Sequence, residues 1–140
     1  MHESFRNVSP SWIAFGWFIA VSLTALILLA LAAFGIIGVE TLGDSIWVTV
    51  ALGVSFLVTG FFVGTRVAAA PILHGLSMAL FSLVAWFAIN LFLGEPTGET
   101  TWRSLSAQSL LALVALQAVA AIVGARLGVR FLRTPATPPS

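Results

Sequence analysis

His74 is the side chain best placed for chemistry in this 140-residue sequence, because it is the one histidine beside a long apolar segment. An imidazole there could ligate the metal of a haem or a chlorophyll, or relay a proton. A bis-histidine haem needs a second axial ligand, and the other histidine, His2, lies at the N-terminal end. Chlorophyll can use one axial ligand, so pigment binding stays open. The alternative is a histidine at a membrane interface, three residues after Pro71, bonded to water and headgroups. A second candidate set is polar but uncharged: Ser22, Thr24, Ser55, Ser82 and Gln117. Counting 1.5 Å per residue from the ends of their segments puts all five near one depth. Such a belt could contact a small molecule or cofactor. Equally, serine and threonine can bond to carbonyls of their own helix, while Gln117 bonds across one interface for roughly 0.6 kcal/mol. Asn90 and Gln108 should pair in the same way nearer the outer face.

Other chemistries lack their residues. The five acids, Glu3, Glu40, Asp44, Glu95 and Glu99, all lie outside the apolar segments. A proton-coupled four-helix multidrug transporter needs an acid within the membrane, and a membrane aspartyl protease needs two. The chain has no cysteine, which removes disulfides, thiolate metal sites and quinone-linked thiol oxidation. No catalytic residue, metal site or cofactor is expected, with His74 the one weak metal candidate.

The elements that would position these residues follow from the charges. Eleven charged residues leave 7–39, 45–65, 67–94 and 104–125 free of Asp, Glu, Lys and Arg. Each stretch reaches the roughly 20 residues needed to span a hydrocarbon core of about 30 Å. Hydrophobic residues make up 59%, charged residues 8%, and mean hydropathy is +1.08, more apolar surface than a soluble core of this size can cover. The expected fold is all-α: a polytopic membrane protein of four transmembrane helices at about 11–37, 45–65, 70–93 and 101–127. These form one domain, 1–133, followed by a tail, 134–140, whose prolines cannot continue a helix and which is expected to be disordered. The net charge of +1 gives no case for nucleic acid.

Ser9-Pro10 reads as an N-cap followed by proline at the first helical position. Ala30-x-Ala32 resembles a signal-peptidase site, yet the apolar run before it is too long for a signal peptide and continues through Ile37, so the first helix is read as uncleaved. Five of six arginines (Arg6, Arg66, Arg126, Arg130 and Arg133) fall on the side of the two termini and the second loop. The positive-inside rule makes that side cytoplasmic. Six arginines, no lysine and 12 glycines point to a GC-rich bacterial source, and so to the bacterial inner membrane. Trp12, Trp47 and Trp102 open spans at headgroup depth, whereas Trp86 is mid-span and either packs on a neighbouring helix or faces lipid. Arg66, Arg126, Arg130 and Arg133 are candidate ligands for anionic headgroups. The last three, at i, i+4 and i+7, share a helix face that could instead dock a cytoplasmic partner.

Two hairpins look like copies of one. Gly43-Asp44-Ser45-Ile46-Trp47 opens span 2 and Gly98-Glu99-Thr100-Thr101-Trp102 opens span 4. Val63-Gly64-Thr65-Arg66 and Val123-Gly124-Ala125-Arg126 close them, and Pro10 and Pro71 start spans 1 and 3. This gives two parallel-repeat αα-hairpins, although helix-start and helix-end chemistry alone could produce the likeness. Small residues recur four apart at Gly60, Gly64 and Ala68 and at Ala120, Gly124 and Gly128, so spans 2 and 4 should pack closely, within one chain or in a homodimer.

Gly60-x-x-x-Gly64-x-Arg66 followed by Leu73-His74-Gly75 resembles the glycine-rich loop of uncharacterised small four-helix bacterial membrane proteins of the YrzE-like type. The resemblance covers about a tenth of the chain and implies four helices without an assigned activity or site residues. The functional expectation is a non-catalytic accessory, structural or assembly subunit of a membrane complex. Its partners would be the bilayer, anionic lipids and other membrane subunits or a second copy. A small dimeric transporter or channel is the alternative, ahead of a pigment- or haem-binding protein.

Overall fold

The computed structural model describes residues 6, 8–38, 46–67, 70–92 and 107–133. They form four helices: α1 Pro10–Ala33, α2 Ile46–Arg66, α3 Pro71–Phe92 and α4 Ala107–Arg133. All four are long and apolar enough to cross a membrane, with mean hydropathies of 2.4, 2.2, 1.6 and 2.1 over their spans. Their lengths, about 31–40 Å at 1.5 Å per residue, match or exceed a hydrocarbon core.

Side-chain size is distributed inside out relative to a soluble bundle. Many buried positions carry small or polar residues, among them Gly16, Ala20, Ala51, Ser55, Gly60, Ala79, Ala121 and Ala125, beside a few large ones such as Phe56 and Met78. Large apolar side chains point outward: Phe18, Leu29 and Phe87 are each about two-thirds exposed (64%, 66% and 65%). Water would reject that surface, whereas lipid solvates it and lets small residues draw helices together. The distribution points to a multi-pass membrane protein.

Contacts fix the helix directions. Trp12 meets Phe62 at 6.4 Å between rings, so the start of α1 lies beside the end of α2 and the two are antiparallel. Ser9 contacts His74, and Trp17 contacts Ser82, making α1 and α3 parallel. Gly60 packs on Ala121 and Gly64 on Ala125, making α2 and α4 parallel, while Gly75 of α3 packs on Ile122 of α4. The α2–α4 contact is the most extensive, followed by α3–α4 and α1–α2; α2 and α3, although consecutive, barely touch.

Helix ends differ from expectation in two places. α1 stops at Ala33, not Ile37, because Gly35 adopts φ +71° and turns the chain. The N–H of Ile36 bonds the carbonyl of Leu31 at 2.9 Å and that of Gly35 bonds Ala32 at 3.0 Å, the paired pattern that closes a helix through a left-handed residue. Hydropathy continues through Ile36 and Ile37, so composition alone overshoots. α4 runs on to Arg133 instead of ending near 127: arginine leaves the hydrocarbon but does not end a helix, and a cation suits the C-terminal dipole. The first turn of span 4, expected from 101, and the tail lie outside the described residues.

Candidate functional site

The closest approach of backbones is between α2 and α4. A Cβ built on Gly60 would press on the carbonyl oxygen of Ala121 and lie 2.9 Å from its Cα; one on Gly64 would meet the oxygen of Ala125 and lie 2.8 Å from its Cα. In the opposite direction, a Cβ on Gly124 would meet the carbonyl oxygen of Leu57 and lie 2.8 Å from the nitrogen of Phe61. One on Gly128 would meet the oxygen of Phe61 and lie 3.0 Å from the nitrogen of Thr65. The obstacles are backbone atoms, which cannot rotate aside.

The ladder inferred for α2 therefore sits in the seam at Gly60 and Gly64, while Ala68 lies outside the described residues. On α4, Gly124 and Gly128 are in the seam, and Ala120, one turn before Gly124, is buried in the core cluster with Phe56 of α2 and Met78. The residues that receive the α2 glycines are Ala121 and Ala125, which pattern reading missed because alanine is common throughout the chain. Gly75 was missed as a contact too. Its Cβ would lie 2.7 Å from the nitrogen of Ile122, so it lets α3 reach α4. Of the two arrangements open from sequence, the seam is intramolecular.

His74 is buried, 1% exposed, rather than wet at an interface. The backbone N–H of Ser9 donates to Nε2 at 3.2 Å, so Nε2 carries no proton and the neutral ring holds its proton on Nδ1. That N–H donates to the carbonyl of Ala70 at 2.9 Å. Water and headgroups are thus replaced by two backbone groups, one at the start of each parallel helix. Metal ligation through Nε2 would first require the Ser9 bond to break. Ala70, buried at the mouth of α3, has φ +53° immediately before Pro71, a conformation that costs an L-residue roughly 1–2 kcal/mol. Its carbonyl also accepts the N–H of His74 at 3.1 Å. At Ser9 itself the expected side-chain cap is absent: its hydroxyl lies 3.1 Å from that of Ser11, and its N–H serves His74.

The polar belt divides by partner. Thr24 donates to the carbonyl of Ala20 at 2.8 Å, and Ser22 is half-buried. Ser82 accepts the indole N–H of Trp17 at 2.8 Å, a link between α1 and α3 that sequence reading did not anticipate. Trp17 also packs at 5.0 Å on the ring of Phe81. Ser55 and Gln117 are buried, as is Thr59, which had not been singled out. Ser55 Oγ, Thr59 Oγ1 and Gln117 Oε1 have no hydrogen-bond partner among the described residues. Trp86 is half-buried, its ring 6.2 Å from that of Phe87; Gln108 is exposed, and the side chain of Asn90 lies outside the described residues.

Arg66, Arg126, Arg130 and Arg133 are all exposed. Arg66 stands over the ring of Phe62 at 5.6 Å. Because Gly128 packs beside Thr65, the last turns of α4 project past the end of α2 and gather these arginines at one end of the bundle. Trp12 and Trp47 lie at the starts of α1 and α2, Trp47 exposed and Trp12 half-buried; Trp102 and the acid-bearing starts at Gly43 and Gly98 lie outside the described residues. No family model matches the chain, and neither a curated protein nor a solved structure is measurably similar to it.

Proposed function

We propose that this protein is a non-catalytic accessory, structural or assembly subunit of a complex in the bacterial cytoplasmic membrane. The observation carrying this reading is that the best candidate groups are already committed to packing. Both ring nitrogens of His74 hold backbone, and the seam glycines hold helix against helix. Large apolar side chains on the outside leave room for lateral contact with other membrane helices. Purification in mild detergent with identification of co-purifying chains tests it. A stoichiometric membrane partner is expected; a chain that purifies alone after cross-linking in intact cells contradicts the proposal.

Arginines at one end of the bundle support cytoplasmic termini and an affinity for anionic headgroups at that face, at about 1 kcal/mol per residue near the surface. Cysteine replacing Gly43 or Gly98 should then react with an impermeant reagent applied from the periplasm, and cysteine replacing Ala69 should not. Labelling at Ala69 alone reverses the orientation.

We also read α2 and α4 as copies of one helix about an axis along their common direction. Shifting numbers by 64 carries Gly60 onto Gly124 and Gly64 onto Gly128, and their partners Leu57 and Phe61 onto Ala121 and Ala125. The same shift aligns Val50-Ala51-Leu52 with Val114-Ala115-Leu116, and Arg66 with Arg130. This register is one turn beyond the pairing of Gly64 with Gly124 taken from the sequence. The likeness of Gly43–Trp47 to Gly98–Trp102 implies a shift of 55, so duplication requires inserted residues in the second copy. A small dimeric transporter or channel is the second reading, favoured by the buried hydroxyls of Ser55 and Thr59 and by Gln117. The seam is occupied within the chain, so a dimer would use another face.

A further inference from the structure

We propose that Arg66 and the aromatic ledge of Trp12, Phe15 and Phe62 bind one glycerophospholipid of net negative charge at the junction of α1 and α2. The inference rests on the reading above that this end of the bundle meets a headgroup layer, and names the site and the ligand within it. Ring contacts join the four side chains. Trp12 lies 5.8 Å from Phe15 and 6.4 Å from Phe62 between ring centres. The guanidinium of Arg66, the last residue of α2, stands over the Phe62 ring at 5.6 Å. Phe62 therefore touches both the indole of α1 and the cation of α2. Phe15 is 50% exposed and Phe62 37%, Arg66 is exposed and Trp12 half-buried, so the cluster is open along the surface of the bundle.

A guanidinium over a ring spends its face on the cation–π contact, while its N–H donors lie in its own plane and can bind a phosphate through two oxygens. The same contact restrains a long side chain in advance, so less entropy is lost when a phosphate arrives. No acidic residue lies on any of the four helices, so no helix neutralises this cation. Depth orders the rest. Phe62 lies one turn before the end of α2, and Phe15 lies about one turn beyond Trp12 into α1, so Phe62 sits deeper than Arg66 and Phe15 deeper than Trp12. Cation outermost, indole at the boundary and apolar rings beneath repeat the order of phosphate, glycerol and acyl chain in a lipid. Charge selects among lipids: a zwitterionic headgroup brings its own ammonium, which Arg66 and the exposed Arg126, Arg130 and Arg133 at the same end repel. A phosphate without that ammonium is the complement.

Native mass spectrometry of the delipidated full-length protein in mild detergent, titrated with phosphatidylglycerol or phosphatidylcholine, tests the site by the affinity for the first lipid bound. Phosphatidylglycerol is expected to bind more tightly than phosphatidylcholine. Arg66→Gln should weaken its first addition about fivefold. Phe62→Leu keeps the charge but removes the ring beneath it, and should weaken the addition about twofold. Arg133→Gln removes an equal charge from the same end and should cost less than Phe62→Leu. Soluble glycerol phosphate at matching concentration should not displace the lipid, since it lacks the acyl chains that meet the ledge. Circular dichroism checks the fold of each variant. An unchanged first addition in folded Arg66→Gln, or equal losses in Arg66→Gln and Arg133→Gln, overturns the site but leaves the general attraction of this end for anionic headgroups standing. Phosphatidylglycerol binding no tighter than phosphatidylcholine overturns both. Displacement by glycerol phosphate overturns the lipid as ligand.

Discussion

Gly60→Ala and Gly124→Ala are each expected to destabilise the bundle by about 2–3 kcal/mol, the upper part of the usual cost of overpacking. In each case the added methyl meets the backbone of the facing helix, so relief requires α2 and α4 to separate along their whole contact. Because the two glycines make reciprocal contacts, their losses should be similar. Two controls isolate the cause. At Gly53 a Cβ would meet only the side chain of Leu116 at 3.8 Å, an ordinary contact, and alanine there should be neutral or stabilising by up to about 1 kcal/mol through helix propensity. At Gly35 nothing lies within 4 Å, but φ is +71°, so alanine should cost about 1–2 kcal/mol from conformation alone. Mixed-micelle unfolding followed by circular dichroism measures all four. A neutral Gly60→Ala would mean that the helices do not meet as described.

His74→Ala should cost about 2–4 kcal/mol, combining a cavity with a part-buried backbone N–H deprived of its acceptor. Two helix starts loosen together, because the ring joins Ser9 at the head of α1 to Ala70 at the head of α3. His74→Phe restores much of the volume but neither hydrogen bond, and should recover only part of the loss. Ala70→Gly tolerates φ +53° without the Cβ penalty and should stabilise slightly in the unmodified background. Nitrogen NMR of selectively labelled protein provides a check independent of stability: the ring should be neutral with its proton on Nδ1. A proton on Nε2 would contradict the Ser9 contact, since two N–H groups cannot share that bond.

Much of the architecture is legible in the sequence, because lipid imposes length and composition on a helix far more strictly than water does. Charge gaps located four helices to within a few residues at most boundaries. Errors arose where depth was used to infer local geometry. Ile36 and Ile37 are apolar enough to extend a span, but a single glycine turned the chain before them. At Arg126, Arg130 and Arg133 the i, i+4, i+7 spacing reads as one helix face, and α4 continues through them to Arg133, past the expected span end near 127. His74 lies near a helix start, where depth suggests water; only the three-dimensional pairing of α1 with α3 surrounds it with backbone donors and acceptors. The seam was visible as glycines four apart, but not its register, since Gly-x-Arg recurs at two shifts and only contact distinguishes them. Gly75, Ala121 and Ala125 gave no signal strong enough to separate them from the chain's many other small residues.

Disulfide trapping of the α2–α4 pair is the most direct test of the central claim that the interior of this bundle is occupied by intramolecular helix packing. The chain has no native cysteine, so Gly53→Cys combined with Leu116→Cys introduces one unambiguous pair at a site where a Cβ is accommodated. Oxidation in native membranes should give a cross-linked monomer of altered gel mobility, reversed by reductant, with no covalent dimer. A predominant covalent dimer would contradict the account.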